Sequence, residues 1–428
     1  MASVAAVIER THRDEWARIV GALVRRFGDL DIAEDAAAEA FATAADRWVV
    51  DGAPPNPAAW LITTASRKAI DRIRRESTRD AKQREAFLLH DDTPAQSVGA
   101  VDDDRLRLMF ICCDPALTVE ARVALTLRIL GGLTVAEIAQ AFLVPPTTMG
   151  QRITRAKAQI ARAQVPYRMP GRGDLTERVA GVLTVVYLIF NEGYLASGES
   201  AEPIRRDLTA EAIRLGRLVC ELMPGDREAS GLLALMLLTE ARAAARVSAD
   251  GELVRLDEQD RAAWSRPLID EGLALVREQV AASAQGEGPP GRYQLLAAIG
   301  AVHVSAPAAR DTDWAQIVSL YTRLERIDPS TVVTLNKAIA ISEYDSPQVA
   351  LAVVDTLSDR LDGHHAFHGA RAELLRLTGR TAEARAAYDR AIALAGSDAE
   401  IVHLTRRRNQ LAEHPPGTDR EPTARRTP

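Results

Sequence analysis

Residues 134–157, TVAEIAQAFLVPPTTMGQRITRAK, carry the pattern of two short helices separated by a tight turn. Thr134 and Glu137 have the T-x-x-E spacing of a capping box, which satisfies free backbone donors at a helix start. The pair Pro145-Pro146 ends the first helix and opens the second, because proline is tolerated at the first position of a helix and not inside it. The stretch therefore predicts a helix-turn-helix.

The second helix of this pair predicts a DNA-reading surface. Its apolar positions recur at helical spacing and are expected to face inward: Met149, Ile153, Ala156 and Ile160. The candidate DNA-contacting side chains are Thr147, Thr148, Gln151, Arg152, Arg155 and Lys157. A helix with hydrogen-bonding side chains at its start and cations along its length suits the major groove. The alternative interpretation is an ordinary amphipathic hairpin with a solvated basic face.

The composition of the chain narrows the class of protein that carries this motif. Its 428 residues are 47% hydrophobic and 4% aromatic, which is typical of a soluble helical protein. The formal net charge of −6 restricts nucleic-acid binding to local basic surfaces. Cys112, Cys113 and Cys220 match neither a disulfide framework nor a metal site and are expected to be buried. Without a signal peptide or a long apolar run, we expect a cytoplasmic protein with no membrane partner.

Helical periodicity predicts an all-α fold that begins with two helices, in residues 4–27 and 32–48. The second of these helices has an acidic side, formed by Asp31, Glu34, Asp35 and Glu39. This side is expected to lie in solvent, where it would attract a basic partner.

A loop rich in glycine and proline, residues 49–57, precedes a third helix predicted from Ala58 to Arg84. Between Arg67 and Arg84 this helix has eight basic residues and three acidic ones. A duplex or a single DNA strand would lie along such a cationic track, although a solvated charged helix has the same pattern.

Three runs of sequence resemble the two conserved domains of bacterial RNA polymerase sigma factors of the extracytoplasmic-function group. They are DLDIAEDAAAEAFATAADRW (residues 29–48), NPAAWLITTASRKAIDRIRR (56–75) and LTVAEIAQAFLVPPTTMGQRITRAKAQI (133–160). The resemblance implies that the helix from Asp31 to Ala45 docks on the clamp helices of the largest polymerase subunit. The core-polymerase-binding residues would then be Asp31, Glu34, Asp35 and Glu39.

The same resemblance assigns the two basic helices to promoter DNA. The loop before Trp60 and the helix after it would open the promoter and read the upstream half of the melted element. The residues implied are Asn56, Trp60, Arg67, Lys68, Arg72, Arg74 and Arg75. For the indole of Trp60 itself we favour a role as the core anchor of the loop. The helix-turn-helix would read the more distant promoter element, with a base preference altered by Pro146 and Thr147, where related factors often have an acidic residue and glycine.

The C-terminal half carries an internal repeat. Tyr321, Val354 and Tyr388 occupy equivalent positions at spacings of 33 and 34 residues, the period of a tetratricopeptide-like helical hairpin. An earlier hairpin is predicted from residues 208–226 and 232–247. Such units stack into an α-solenoid whose concave face would bind a peptide or a partner protein.

These patterns together predict six segments. They are a first sigma domain at 1–85, a flexible linker at 86–101, a second sigma domain at 102–165, a linker at 166–173, a repeat domain at 174–413 and a disordered tail at 414–428. The run YLIFNEGYLASG at residues 187–198 is similar to a sigma-factor subgroup with a long C-terminal helical-repeat extension. The resemblance implies that the extension takes part in control, without a conventional membrane anti-sigma factor. Residues 191–194 are equally explained as a helix C-terminus capped by Gly193.

The sequence offers no nucleophile-base pair and no phosphate-binding loop, so we expect neither an enzyme nor a cofactor. His364, His365 and His368 include an i, i+4 pair suited to zinc, yet they lack a carboxylate at suitable spacing. The competing hypothesis is a helix-turn-helix regulator that binds an operator without polymerase and uses the repeats as a sensor or scaffold. It leaves the acidic helix, the loop and the first basic helix without a shared purpose.

Overall fold

The computed structural model describes residues 4–77, 104–142, 144–163, 165, 167, 170–171, 174–194, 204–248, 253–396 and 398–413. Within these residues every regular element is a helix, as the all-α prediction requires, and the one β-type contact is an isolated bridge between Val247 and Leu253. The predicted linker at 86–101, the end of the third helix beyond Ser77 and the predicted tail at 414–428 lie outside the described residues.

The chain divides into two compact units. Unit 1 comprises residues 1–192 and 210–226, and unit 2 comprises residues 193–209 and 227–428. The helices that begin in unit 1 are α1 (Val4–Phe27), α2 (Leu30–Asp51), α3 (Pro57–Ser77), α4 (Asp104–Cys112), α5 (Val119–Ile129), α6 (Val135–Ala141), α7 (Pro146–Arg162) and α8 (Leu175–Tyr194), and most of α9 (Arg206–Leu222) also belongs to it.

Helices α1 to α3 form a bundle whose first turns are set by local capping. The Asp29 carboxylate accepts hydrogen bonds from the backbone N–H groups of Asp31 and Ile32, at 2.8 and 2.9 Å. Because this side chain satisfies free donors at a helix start, α2 begins at Leu30, two residues before the predicted position. The residues buried between the helices include Ile19, Val20, Leu23, Phe41, Trp48 and Leu61.

The predicted helix-turn-helix is present as α6 and α7. The Thr134 N–H donates to Glu137 Oε2 at 2.7 Å, and the Glu137 N–H donates to Thr134 Oγ1 at 3.2 Å, which confirms the capping box. Helix α7 begins at Pro146. The side chains predicted to face inward are all buried: Met149, Ile153, Ala156 and Ile160.

Unit 1 also contains residues that the sequence assigned to the repeat domain. In α8, Arg178 Nη1 lies 2.6 Å from Asp114 Oδ2, and its Nη2 donates to the Phe110 carbonyl. In α9, Arg214 donates to the Leu130 carbonyl at 2.9 Å. These contacts attach residues 174–192 and 210–226 to the helix-turn-helix region, whereas sequence periodicity alone placed a domain boundary at 174.

Unit 2 is a run of helices in which most contacts join helices that are close to each other in the chain. They are α10 (Arg227–Glu240), α11 (Ala243–Arg246), α12 (Arg266–Ala284), α13 (Arg292–Ser305), α14 (Trp314–Ile327), α15 (Thr331–Tyr344), α16 (Pro347–Asp355), α17 (Ser358–Leu361), α18 (His365–Leu377), α19 (Thr381–Leu394) and α20 (Asp398–Glu413). The repeat positions Tyr321, Val354 and Tyr388 fall in α14, α16 and α19. Val354 and Tyr388 are fully buried, and Gly379 forms the left-handed turn between α18 and α19.

Gly193 is not the helix cap that its position suggested. It lies inside the last turn of α8, and a Cβ added there would stand 2.7 Å from the backbone nitrogen of Thr209. Its carbonyl accepts a hydrogen bond from the Arg205 N–H at 2.7 Å. The glycine therefore permits a close approach between two backbone segments, a role that no local pattern reveals.

Two of the three histidines considered for zinc binding contact a carboxylate or a backbone carbonyl, and two of the three cysteines are buried. His365 Nε2 lies 3.0 Å from Glu400 Oε1, and His368 Nε2 lies 2.8 Å from the Asp362 carbonyl oxygen. Cys112 and Cys113 are buried as expected, and burial raises the pKa of the Cys113 thiol to about 11. Cys220 is half-buried. Among the described residues, no helix is both long enough and apolar enough to cross a bilayer.

Candidate nucleic-acid interface

The acidic side of α2 and the basic side of α3 lie next to each other. Arg72 forms an ion pair with Asp35, and Lys68 Nζ lies 3.6 Å from Glu39 Oε2. A cleft of about 570 Å³ opens beside these pairs, lined by Glu39, Lys68, Asp71, Arg74 and Arg75. Residues predicted to bind polymerase and residues predicted to bind DNA therefore share one surface. Exposed pairs of this kind are weak and exchange readily for stronger partners.

The loop before α3 is anchored by aromatic packing. Half-buried Trp60 packs edge-on against buried Trp48, with ring centroids 5.5 Å apart, in line with the anchoring role favoured for its indole. Asn56 Oδ1 accepts from the Ala59 N–H at 3.1 Å and so caps α3. The loop is shorter than the predicted 49–57, because α2 continues to Asp51 and α3 begins at Pro57, and Val49 and Val50 lie in the last turn of α2, 71% and 84% exposed. Sequence reasoning missed these two valines, although adjacent β-branched residues at the end of a polar helix are a detectable signal.

The other cations of α3 lie on its outer side. Arg67 and Arg74 are exposed. Arg75 is exposed as well, and its Nε donates to the Asp71 carbonyl at 3.3 Å. The helix thus presents a cationic strip beside the anchored loop.

The outer face of α7 presents most of the side chains predicted to contact DNA. Thr147, Thr148, Gln151 and Arg155 are exposed, and Arg152 is half-buried. The first turn of the helix has no side-chain cap, so its free N–H groups also point outward. This face combines hydrogen-bonding groups with cations at the spacing of a groove-binding helix.

Lys157 departs from the prediction. Its side chain is only 9% exposed, and its ammonium lies 2.7 Å from Asp31 Oδ1 and 2.5 Å from Glu34 Oε2. Burial alone would lower the pKa of Lys157, but the charge of Glu34 and the bonds to both carboxylates raise it. A cation held in this way is not available to a DNA phosphate.

Glu34 was also expected in solvent and is instead buried, with 3% of its surface exposed. Arg128 of α5 donates from Nε to Glu34 Oε1 at 2.5 Å. The periodicity of α2 showed which residues share a face but not that α5 and α7 cover part of it. The four acids are therefore split, with Asp31 and Glu34 bound to the second domain and Asp35 and Glu39 bound to α3.

Three family models match the chain. Residues 13–79 match Sigma-70 region 2, and residues 107–160 match Sigma-70 region 4. Residues 178–280 match a family of unknown function, DUF6596, which includes parts of both units. The first two matches cover α1 to α3 and α4 to α7, where the basic and acidic surfaces lie.

Of the curated relatives, one matches nearly the whole chain and others match about a third of it. An uncharacterized protein of Rhizobium meliloti is 46% identical over 402 residues, which cover 92% of this chain and 94% of that protein. The ECF RNA polymerase sigma factor SigK of Mycobacterium ulcerans is 32% identical over 165 residues, covering 35% of this chain and 85% of SigK. The probable ECF RNA polymerase sigma factor SigI of Mycobacterium tuberculosis is 30% identical over 161 residues, 36% of this chain and 54% of SigI. No solved structure matches the chain.

Proposed function

The chain belongs to the ECF group of RNA polymerase sigma factors, and from that premise we propose which of its surfaces bind the polymerase and the promoter. Its partners are core RNA polymerase and promoter DNA, and its role is to direct transcription initiation. The match to Sigma-70 region 2 accounts for α1 to α3 together. A regulator that binds an operator without polymerase would leave these three helices without a shared function.

We assign the reading of the distant promoter element to α7. The observation that supports this most directly is the outer face of the helix, which lies within the region 4 match and carries Gln151, Arg152 and Arg155. Amide and guanidinium side chains form paired hydrogen bonds with adenine and guanine edges in the major groove.

The test of this assignment is promoter discrimination by single alanine variants. Arg152→Ala or Arg155→Ala should cost about 1–3 kcal/mol of discrimination between cognate and altered promoters. Arg162→Ala, an exposed cation at the far end of the same helix, serves as the control and should leave discrimination unchanged. Run-off transcription with core polymerase measures both. Equal cognate output from the two arginine variants and the wild type would remove α7 from the reading role.

We assign the melted promoter element to the loop between α2 and α3, the end of α2 and the cationic strip of α3. Single-stranded DNA needs a basic track for its backbone and flat or apolar contacts for unstacked bases. Arg67, Arg74 and Arg75 supply the track, and Val49 and Val50 supply exposed apolar surface in the last turn of α2, beside the loop. Trp60 holds the loop in position against Trp48.

We assign core-polymerase docking to the acids of α2. Asp35 and Glu39 are accessible at the surface, and their weak pairing with Arg72 and Lys68 can be exchanged for cations of a partner. The double variant Asp35→Lys, Glu39→Lys should abolish co-purification with core polymerase. Asp46→Lys, a charge reversal at another exposed position of α2, should not. Retained binding by the double variant with an unchanged circular dichroism spectrum would show that docking uses another face.

For unit 2 we propose a tetratricopeptide-like solenoid that modulates transcription by binding a peptide or protein. The support is the 33- and 34-residue spacing of positions that lie in α14, α16 and α19, together with neighbour-to-neighbour packing along the chain. A pull-down with unit 2 surface variants compared with the full wild-type chain would identify which helices contact such a partner.

A further inference from the structure

The acidic end of α2 is already occupied inside unit 1. Lys157 from the recognition helix α7 binds Asp31 and Glu34, and Arg128 from α5 binds the other oxygen of Glu34. Both cations belong to the region 4 match, and both acids belong to region 2. The surface assigned to polymerase docking is thus partly covered by the domain assigned to DNA reading.

Further contacts hold the two regions together. Trp16 Nε1 of α1 donates to the Ile129 carbonyl of α5 at 3.0 Å. Arg25 Nη1 lies 3.4 Å from Asp104 Oδ2, and a Cβ added at Gly21 would stand 2.9 Å from the Asp104 Cβ. The close backbone approach at Gly21 shows that α1 and α4 are packed directly against each other.

Helix α9 supports the same closed arrangement. Arg214 is held by Glu211 through two oxygens, at 2.7 and 2.8 Å, and donates to the Leu130 carbonyl. A Cβ added at Gly131 would stand 2.9 Å from Glu211 Oε1. The segment between α5 and the helix-turn-helix therefore contacts α9, which lies in the part of the chain that matches DUF6596.

We propose that region 4, backed by α8 and α9, forms an intramolecular lock over Asp31 and Glu34, which must open before core polymerase can dock on α2. The proposal rests on the docking surface assigned above. Opening breaks the ion pairs of Lys157 and Glu34, which are buried, and of Asp31, which is partly exposed, and partners of opposite sign would stabilise the open form. Cations of the polymerase suit the two acids, and DNA phosphates suit Lys157. The same ion pairs that close the free protein would then be exchanged for contacts in the initiation complex.

The first experiment detects the lock in solution. Treatment of the full chain with a carbodiimide joins a carboxylate and an amine as an amide, with loss of water, only where the two groups touch. Peptide mapping by mass spectrometry should find Lys157 joined to Asp31 or Glu34. The pair Lys337 and Glu325, which are in contact within unit 2, serves as the positive control for the reaction. A positive control without any Lys157 product would overturn the proposal.

The second experiment measures the consequence for docking, with affinity for core polymerase determined in the absence of DNA. The full-chain variant Lys157→Met should bind core polymerase about tenfold more tightly, because a larger fraction of the protein is open. Lys157→Arg keeps the charge and should restore the wild-type affinity. Arg162→Met, at the exposed end of the same helix, is the control and should bind like the wild type. Protein with the Lys157 amide cross-link should not bind.

The outcomes separate the lock from the docking assignment. Binding of equal strength by the wild type, Lys157→Met and the cross-linked protein would refute the lock and leave docking on α2 in place. If none of these proteins binds core polymerase, the assignment of docking to α2 is wrong, and the proposed lock then has no function. If Lys157→Met does not fold, the cross-linked wild-type protein still decides between these outcomes.

Discussion

Unit 1 is held together by contacts between residues that are far apart in sequence, whereas most contacts in unit 2 join helices that are close in sequence. In unit 1 the bond from Trp16 to Ile129 spans 113 residues, and the bond from Lys157 to Asp31 spans 126. In unit 2 the helices from α14 to α20 pack mainly on helices one or two places away in the chain, and α10 packs on α12 and α13. A notable long-range tie within unit 2 joins Arg255 to Glu373.

This difference indicates different ways of responding to partners. Contacts between two helical domains can be broken without unfolding either domain, so we expect unit 1 to exchange its ion pairs between α2 and region 4 for contacts with polymerase and DNA. In a chain of nearest-neighbour interfaces, the loss of one interface weakens the adjacent helices as well. Unit 2 is therefore expected to behave as a continuous scaffold.

The largest expected effect comes from breaking the long-range tie of unit 2. Glu373 is bound by Arg255, Arg376 and Arg407 and by the Tyr388 hydroxyl. Burial alone would raise the pKa of Glu373, but the arginines hold it far below its usual range. Glu373→Gln should cost about 3–5 kcal/mol of unfolding free energy, because three clustered guanidinium groups lose their common counter-charge.

Urea unfolding followed by circular dichroism measures this loss. Glu383→Gln provides the control, since Glu383 forms an exposed pair with Arg380 and exposed pairs add little to the unfolding free energy. Equal effects of the two substitutions would mean that the ion pairs of Glu373 add no more to the unfolding free energy than an exposed pair does. Long-range contacts would then matter in unit 1 and not in unit 2.

A second effect depends on pH. Burial, together with the charges of Arg242 and Arg261, lowers the pKa of His303 from 6.5 to about 4. The unfolded chain therefore binds a proton at a higher pH than the folded one. The contribution of His303 is fully present above pH 6.5 and is lost as the pH falls to 4, a change on the order of 3 kcal/mol.

Urea unfolding at pH 7 and pH 4.5 tests this dependence in the wild type and in His303→Gln. The variant should lack this part of the acid loss while retaining contributions from other groups, including His12 of unit 1, whose pKa is also lowered by burial. An identical acid loss in both proteins would show that His303 is not the source.

A third effect tests the close packing of two helices of unit 2, α10 and α13, that are separated by two others in the chain. A Cβ added at Gly231 in α10 would stand 2.7 Å from the backbone nitrogen of Gln294 in α13. Gly231→Ala should destabilise the protein by about 1–3 kcal/mol, since backbone cannot move aside as a side chain can. At Gly300 the nearest atom is 3.6 Å away, so Gly300→Ala should stabilise the protein by up to about 1 kcal/mol. Thermal unfolding should separate the two variants in sign.

The smallest effect concerns a single polar contact of unit 1. Trp16→Phe removes the indole donor to the Ile129 carbonyl and should cost about 1 kcal/mol. Trp264→Phe in unit 2 is the matched control, because the buried Trp264 Nε1 has no hydrogen-bond partner among the described residues. If the lock exists, Trp16→Phe should also bind core polymerase more tightly, whereas Trp264→Phe should not. A Trp16→Phe variant that is less stable but binds no better would separate stability from locking.

Much of the fold followed from local patterns. The capping box at Thr134 and Glu137 and the start of α7 at Pro146 depend on residues within one helical turn, and both are confirmed. The start of α2 was placed two residues late because Asp29 acts as a cap, another local signal that was overlooked.

The sequence indicated which residues belong to the candidate site, but not which of them lie on an accessible surface and which are covered by another helix. Periodicity correctly identified the outer face of α7, where Gln151 and Arg155 are exposed. It could not show that Lys157 and Glu34 meet, because their burial depends on how α2 and α7, which are distant in sequence, pack together. Val49 and Val50 were overlooked although their residue types are visible in the sequence, whereas their exposure is a property of the fold.

Residue spacing along the chain was enough to predict the helices, the helix-turn-helix and the charge carried on each face, since these depend on neighbours within a few residues. Which charged groups face each other and which helices pack together follows only from the three-dimensional fold. That is why α8 and α9 turn out to support region 4, and why Lys157 binds Asp31 and Glu34. Ion pairing and burial depend on distances in space, and helical periodicity carries no information about the neighbour that covers a face.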